Sequence, residues 1–113
     1  MIIAHLFIGP LILVITLIIA RYPPKKINHL YGYRTTRSML NQDCWDFANK
    51  YSTVLMWESA LITCITQLFA ILVLDEESAL LIGVIVLILT LFYSIYLTEK
   101  ALKKTFDKEG NRL

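Results

Sequence analysis

The chain has 113 residues, 57% of them hydrophobic and 18% charged, with a formal net charge of +2 and a mean hydropathy of +0.60. Such values fall outside the range of soluble globular domains and, at this length, describe one small membrane domain covering 1–113. The slightly basic pI of 8.6 comes without a basic stripe interleaved with aromatics, so nothing supports nucleic-acid binding.

The first apolar run, about 2–20, contains no Lys, Arg, Asp or Glu, and His5 is its one titratable side chain. At 1.5 Å per residue it is about 28 Å long, close to the thickness of a hydrocarbon core, and it is predicted to span. No basic stretch precedes it, as a cleaved signal would require, so the segment is expected to be retained. Gly9-Pro10 predicts a loosened or kinked helix, and Tyr22-Pro23-Pro24 predicts its end.

A polar, basic loop follows, 21–52. Tyr31-Gly32-Tyr33 places aromatics on both sides of the loop's one glycine, predicting a turn with positive φ at Gly32. Ser38 is the expected N-cap of a new helix, and Leu40, Cys44, Phe47, Tyr51 and Leu55 fall on one stripe of it. A helix running from Met39 through the second span would be about 54 Å long, more than a bilayer needs. Its first turns are therefore expected in the interface or cytosol, with a bend near Tyr51-Ser52-Thr53 as one way to place them. Trp45 and Asn49, four apart, stack on a different face. With Gly32, Arg34, Thr35, Arg37 and Ser38 they would form a small polar and aromatic pocket mouth. The simpler reading makes Arg34 and Arg37 anchors to lipid phosphate and Trp45 a residue of the interfacial belt.

The second span, about 53–74, carries one charge, Glu58, and the third, about 78–97, carries none. An acid at this depth is expensive to leave ionised and alone. Glu58 is expected to face inward, either pairing with Arg34 or Arg37 or serving ligand or proton handling. Gln67 is out of phase with it, which argues against a continuous polar track. The tail, 98–113, extends the third helix, with Glu99 and Lys103 as an i,i+4 pair, Leu102 and Phe106 as an edge resting on the membrane, and Gly110 as the stop.

Charge placement gives an orientation. Six basic residues and two acidic ones lie between Arg21 and Ser52, five more basic residues follow Leu97, and Asp75-Glu76-Glu77 connects the second and third spans. The positive-inside rule puts loop and tail in the cytoplasm and the N-terminus outside, in the bacterial cell membrane. The fold class is thus an all-α membrane protein: three transmembrane helices with an amphipathic cytoplasmic helix leading into the second. Three helices make a thin bundle, which favours homo-oligomerisation, although no small-xxx-small glycine motif marks an interface.

Chemistry offers little. Cys44 or Ser38 with His29 and an aspartate supply residue types for nucleophilic catalysis, yet without a glycine-flanked nucleophile, so no catalytic residue is assigned. His29, Asp43, Cys44 and Asp46 lack paired metal-ligand spacing, and no metal or cofactor is implied. The two cysteines sit at different depths and imply no disulfide.

The pattern Gly32-Tyr33-Arg34-Thr35, Ser38-Met39, Asn41, Trp45, Ala48-Asn49, directly after one span and before two more, resembles the SdpI family of bacterial membrane proteins, named for an immunity protein against a sporulation-delay toxin. The resemblance implies that Gly32, Arg34, Thr35, Ser38, Trp45 and Asn49 carry family function in a cytoplasmic segment. Two classes of function stand. One is an immunity or resistance protein that meets a membrane-active peptide toxin, or that toxin's target, through loop and bundle. The other is a transport or sensing module binding a hydrophobic or anionic small molecule near Arg34, Arg37, Trp45 and Glu58.

Overall fold

A computed structural model describes residues 8–113. His5 and the start of the first apolar run lie outside these residues. The described residues form three α-helices: α1 (Gly9–Arg21), α2 (Gln42–Val73) and α3 (Glu76–Thr105). They run up, down and up, with α2 packed along both neighbours. Both α2, with 32 residues, and α3, with 30, are long and apolar enough to cross a membrane, whereas the described part of α1 has 13 residues.

Pro10 sits in the first turn of the described helix α1, where a missing N–H breaks no intrahelical bond; the segment before it, on which the expected kink depends, lies outside the described residues. The helix closes with the Tyr22 amide donating to Ile18 O at 2.9 Å, immediately before the proline pair.

α2 begins three residues later than expected. Asn41, not Ser38, is the N-cap: its side chain accepts from the Cys44 amide at 2.8 Å. Ser38 is fully buried and already committed, its Oγ donating toward Tyr33 O and Thr35 O and accepting from the Thr35 amide. The helix then runs unbroken to Val73, about 48 Å. At the expected bend, the Ser52 and Thr53 hydroxyls turn back onto Asn49 O, as they do within continuous helices.

The membrane-spanning half of the bundle is built with small and polar residues inside. Ser59, Ala60, Thr63, Gln67 and Ala70 of α2 are buried, while Ile62, Ile65, Leu68 and Phe69 point outward. Lipid solvates large aliphatic groups as well as a core would, so helix contact is driven by close backbone approach and hydrogen bonding. Ala79 and Gly83 of α3 are a small pair one turn apart, buried where a Cβ on Gly83 would stand 3.2 Å from Gln67 Cδ. The chain therefore does contain a small-xxx-small pair, spent within the bundle. Ser59 and Thr90 join hydroxyls across the same seam at 2.5 Å.

Asp75 caps α3, its carboxylate accepting from the Ser78 amide at 3.3 Å, with Glu76 and Glu77 in the first turn favourable to the helix dipole. Bonds from the Ser78 hydroxyl and amide hold the Asp75 carboxyl below its ordinary range. At the other end the helix stops at Thr105, not Gly110. Phe106 pairs with Arg112 in an isolated antiparallel bridge, Gly110 turns the chain with φ +89°, and the Asp107 carboxylate accepts from the Glu109 and Asn111 amides at 2.9 Å each. Leu102 and Phe106, expected on the membrane surface, are buried against Cys44 and Ala48 of α2.

Candidate functional site

The basic loop is a clasp that grips the first turns of α2. Gly32 has φ +112°, and a Cβ there would stand 2.7 Å from Asn49 Oδ1 and 2.8 Å from Pro24 Cγ. Only glycine fits both the backbone conformation and the gap. Its position lets the next amide, Tyr33 N–H, donate to Asn49 Oδ1 at 2.6 Å. The Asn49 amide nitrogen returns bonds to Trp45 O at 3.0 Å and Tyr33 O at 3.4 Å. Trp45, with no exposed surface, donates its indole N–H to Pro24 O at 2.6 Å. One turn earlier, Gln42 Nε2 donates to Lys25 O at 2.6 Å and Asp46 Oδ1 at 2.7 Å. The buried asparagine and tryptophan are thus both satisfied, as burial of their polar atoms demands.

The structure gathers Gly32, Thr35, Ser38, Trp45 and Asn49 from the sequence-predicted set. Thr35 and Ser38 close a small turn, Ser38 N–H donating to Thr35 Oγ1 at 3.2 Å and Thr35 N–H to Ser38 Oγ at 2.8 Å. Trp45 is a core residue, not a belt residue or pocket rim. Arg34 is exposed and its guanidinium donates to His29 O, while Arg37 is half-buried. Glu58 is not gathered. It is exposed on α2, contrary to the inward orientation expected, and the one ion pair among the described residues joins Arg112 to Asp43. The helical phase explains the difference: Ser59, Ala60 and Thr63 take the buried face of α2 and leave Glu58 beside Val54 and Tyr51 on the outer one.

Residues 25–97 match the family SdpI, described as the SdpI/YfhL protein family. The chain belongs to that family. It is also 38% identical over 105 residues to the uncharacterized protein YfhL of Bacillus subtilis (strain 168), an alignment covering 92% of this chain and 91% of that one. No solved structure matches. The matched family segment opens at Lys25, whose carbonyl Gln42 holds, and takes in the clasp from there on, all of α2 and most of α3.

Three contributors were not singled out from the sequence. Tyr33 donates its phenol to Glu99 Oε1 at 2.7 Å, tying the clasp to α3. Burial, and then the Glu99 carboxylate, push the Tyr33 pKa well above its ordinary value. Glu99 looks like half of a helix-surface pair with Lys103, and only the aromatic beside Gly32 hints at another partner. The tail is the third contributor. Asn41 Nδ2 donates to Gly110 O at 2.7 Å, and Arg112 grips both oxygens of Asp43 at 2.8 and 2.9 Å while lying 5.0 Å from the Phe106 ring centre. The Phe47 ring meets Phe106 edge-on at 5.6 Å. Burial and the neighbouring Asp43 raise the Cys44 thiol pKa under this cover. Loop and tail therefore both clothe the α2 N-terminus, the loop at Trp45 and Asn49 and the tail at Asn41 and Asp43. Where the clasp meets the bundle, a cleft of about 280 Å³ opens between Ile19, Gly32, Tyr33, Met56 and Leu91.

Proposed function

We propose that this chain is an immunity- or resistance-type membrane protein that meets a membrane-active peptide, or the peptide's target, with the basic clasp and the outer face of α2. The observation that carries this reading is the family match over 25–97, which coincides with the clasp and the two long spans. Geometry supports the division of labour. Gly32, Ser38, Trp45 and Asn49 build the clasp, and the exposed Arg34, the half-buried Arg37 and Glu58 remain to meet a partner. Glu58 lies about 22 Å from the Val73 end of α2, within the apolar span. A carboxyl group presented to lipid there favours a polar partner: a toxin helix or a second copy of this chain. By the positive-inside rule the clasp and tail face the cytoplasm.

A small-molecule module using Arg34, Arg37, Trp45 and Glu58 together has less support, because Trp45 offers no surface to a ligand.

The test is expression in a toxin-sensitive bacterium challenged with membrane-active peptides, with Arg34→Ala, Arg37→Ala and Glu58→Gln compared at equal membrane abundance. Protection by the wild-type chain, reduced in the variants, is expected. Equal killing with and without the chain for every peptide sinks the reading. A reporter fused after Leu113 that is active only outside the cell sinks the orientation.

A further inference from the structure

A second cleft, of about 390 Å³, lies on the other side of Asn49, between the end of α1 and α2. Its floor is apolar, made by Ile19, Ala20, Pro23 and Val54, and its mouth carries Lys25 and Lys50. The wall is fixed: Pro24 is held by the Trp45 indole and Lys25 by Gln42 through their carbonyls, leaving both lysine side chains exposed. The acid in this cleft, Asp46, accepts from the same Gln42 amide at 2.7 Å, which spends part of its charge within the wall.

Depth decides what such a cleft can take. About 20 residues of helix cross a 30 Å hydrocarbon core, so counting back from Val73 puts the inner edge of the core near Thr53 and Val54. Lys50 then stands about 5 Å beyond that edge, at the level of lipid phosphates, while Val54, Ile19 and Ala20 lie at the level of acyl chains. The cleft crosses the boundary with its charge and its apolar surface on the sides a lipid would match. Basic pockets between spans on this side of a membrane suit anionic headgroups.

We propose that the α1–α2 cleft is a binding site for one anionic glycerophospholipid, its phosphate held by Lys25 and Lys50 and an acyl chain lying against Ile19, Ala20 and Val54. The lipid would fill the space beside the clasp and join α1 to α2 at the clasp's edge. This assignment is independent of the toxin reading and rests on the cytoplasmic placement of the clasp proposed above.

The experiment is native mass spectrometry of the full chain released from detergent after incubation with phosphatidylglycerol or phosphatidylcholine of identical acyl chains. Phosphatidylglycerol is expected to stay bound preferentially. Lys25→Gln with Lys50→Gln should lower its retention about 30-fold, whereas Lys100→Gln with Lys104→Gln, the same charge change on α3, should not. Ala20→Phe, which fills the floor, should reduce retention with both lysines in place. Equal retention of the two lipids overturns the proposal, as does an equal loss from the two lysine pairs. Displacement of the lipid by glycerol phosphate at equal concentration overturns the acyl part.

Discussion

The phenol of Tyr33 donates to Glu99 Oε1 at 2.7 Å, and the backbone of the same residue is held by Asn49 on α2, so one loop residue ties both long helices. The folded chain keeps the phenol proton well above its ordinary value near 10. The stability this gives is complete below about pH 10 and is lost progressively as pH rises further, because the freed phenol ionises while the docked one does not. Tyr33 should therefore ionise late in an absorbance titration. Tyr33→Phe should remove that late step and leave the rest of the curve in place. A wild-type titration with no late component would refute the assignment.

Gly32→Ala should cost about 1–3 kcal/mol, since it combines a disfavoured φ with contact against Asn49 and Pro24. Gly83→Ala should cost less. Its φ is ordinary, and the nearest atom to a Cβ there is the end of the Gln67 side chain at 3.2 Å. Thermal unfolding in detergent ranks the two, and the reverse order would contradict the clasp geometry.

Trp45→Phe keeps an aromatic in the core but strands the Pro24 carbonyl, a loss of about 1–3 kcal/mol. The chain's two tryptophans should separate in fluorescence. Trp57, 37% exposed on the spanning helix, should be quenched by brominated lipid, whereas Trp45, 0% exposed, should resist both brominated lipid and aqueous acrylamide.

The membrane class, the apolar runs and the special backbone at Gly32 were legible because composition, length and glycine chemistry are local signals. The N-cap was not. Ser38 and Asn41 are both good caps by residue type, and only the buried turn that occupies the serine hydroxyl decides between them. Glu58 is misplaced for a related reason: an intramembrane acid suggests an inward face, but the phase of α2 is set by the burial of Ser59, Ala60 and Thr63, with Ser59 bonded to Thr90 of α3. Leu102 and Phe106 carry an amphipathic signal that a membrane surface and a neighbouring helix satisfy equally well. What selects the helix is the hairpin after Thr105, whose turn residues lie up to 69 positions from the Asn41 and Asp43 they contact.

The tail should act as a cover over Cys44, which is 1% exposed. Asn41→Ala removes both the α2 cap and the bond to Gly110 and should raise maleimide labelling of Cys44. Arg112→Ala should change it little, because the ion pair is half-exposed on both sides and solvent screens it. In the wild type, labelling should begin at higher pH than for a free thiol, since burial and Asp43 raise the Cys44 pKa. Fast labelling of the wild type at neutral pH would show that the tail does not cover this site.

The unbroken course of α2 gives the molecule a mechanical property. A single rod begins between loop and tail, passes the lysines at the membrane edge, carries Glu58 on its flank and ends beside the acidic turn. It has no joint along the way, so a partner that tilts or rotates the rod at Glu58 swings the handle gripped by Tyr33, Gly110 and Arg112. Displacement at one membrane depth arrives at the other as leverage on the clasp, with no separate relay between them.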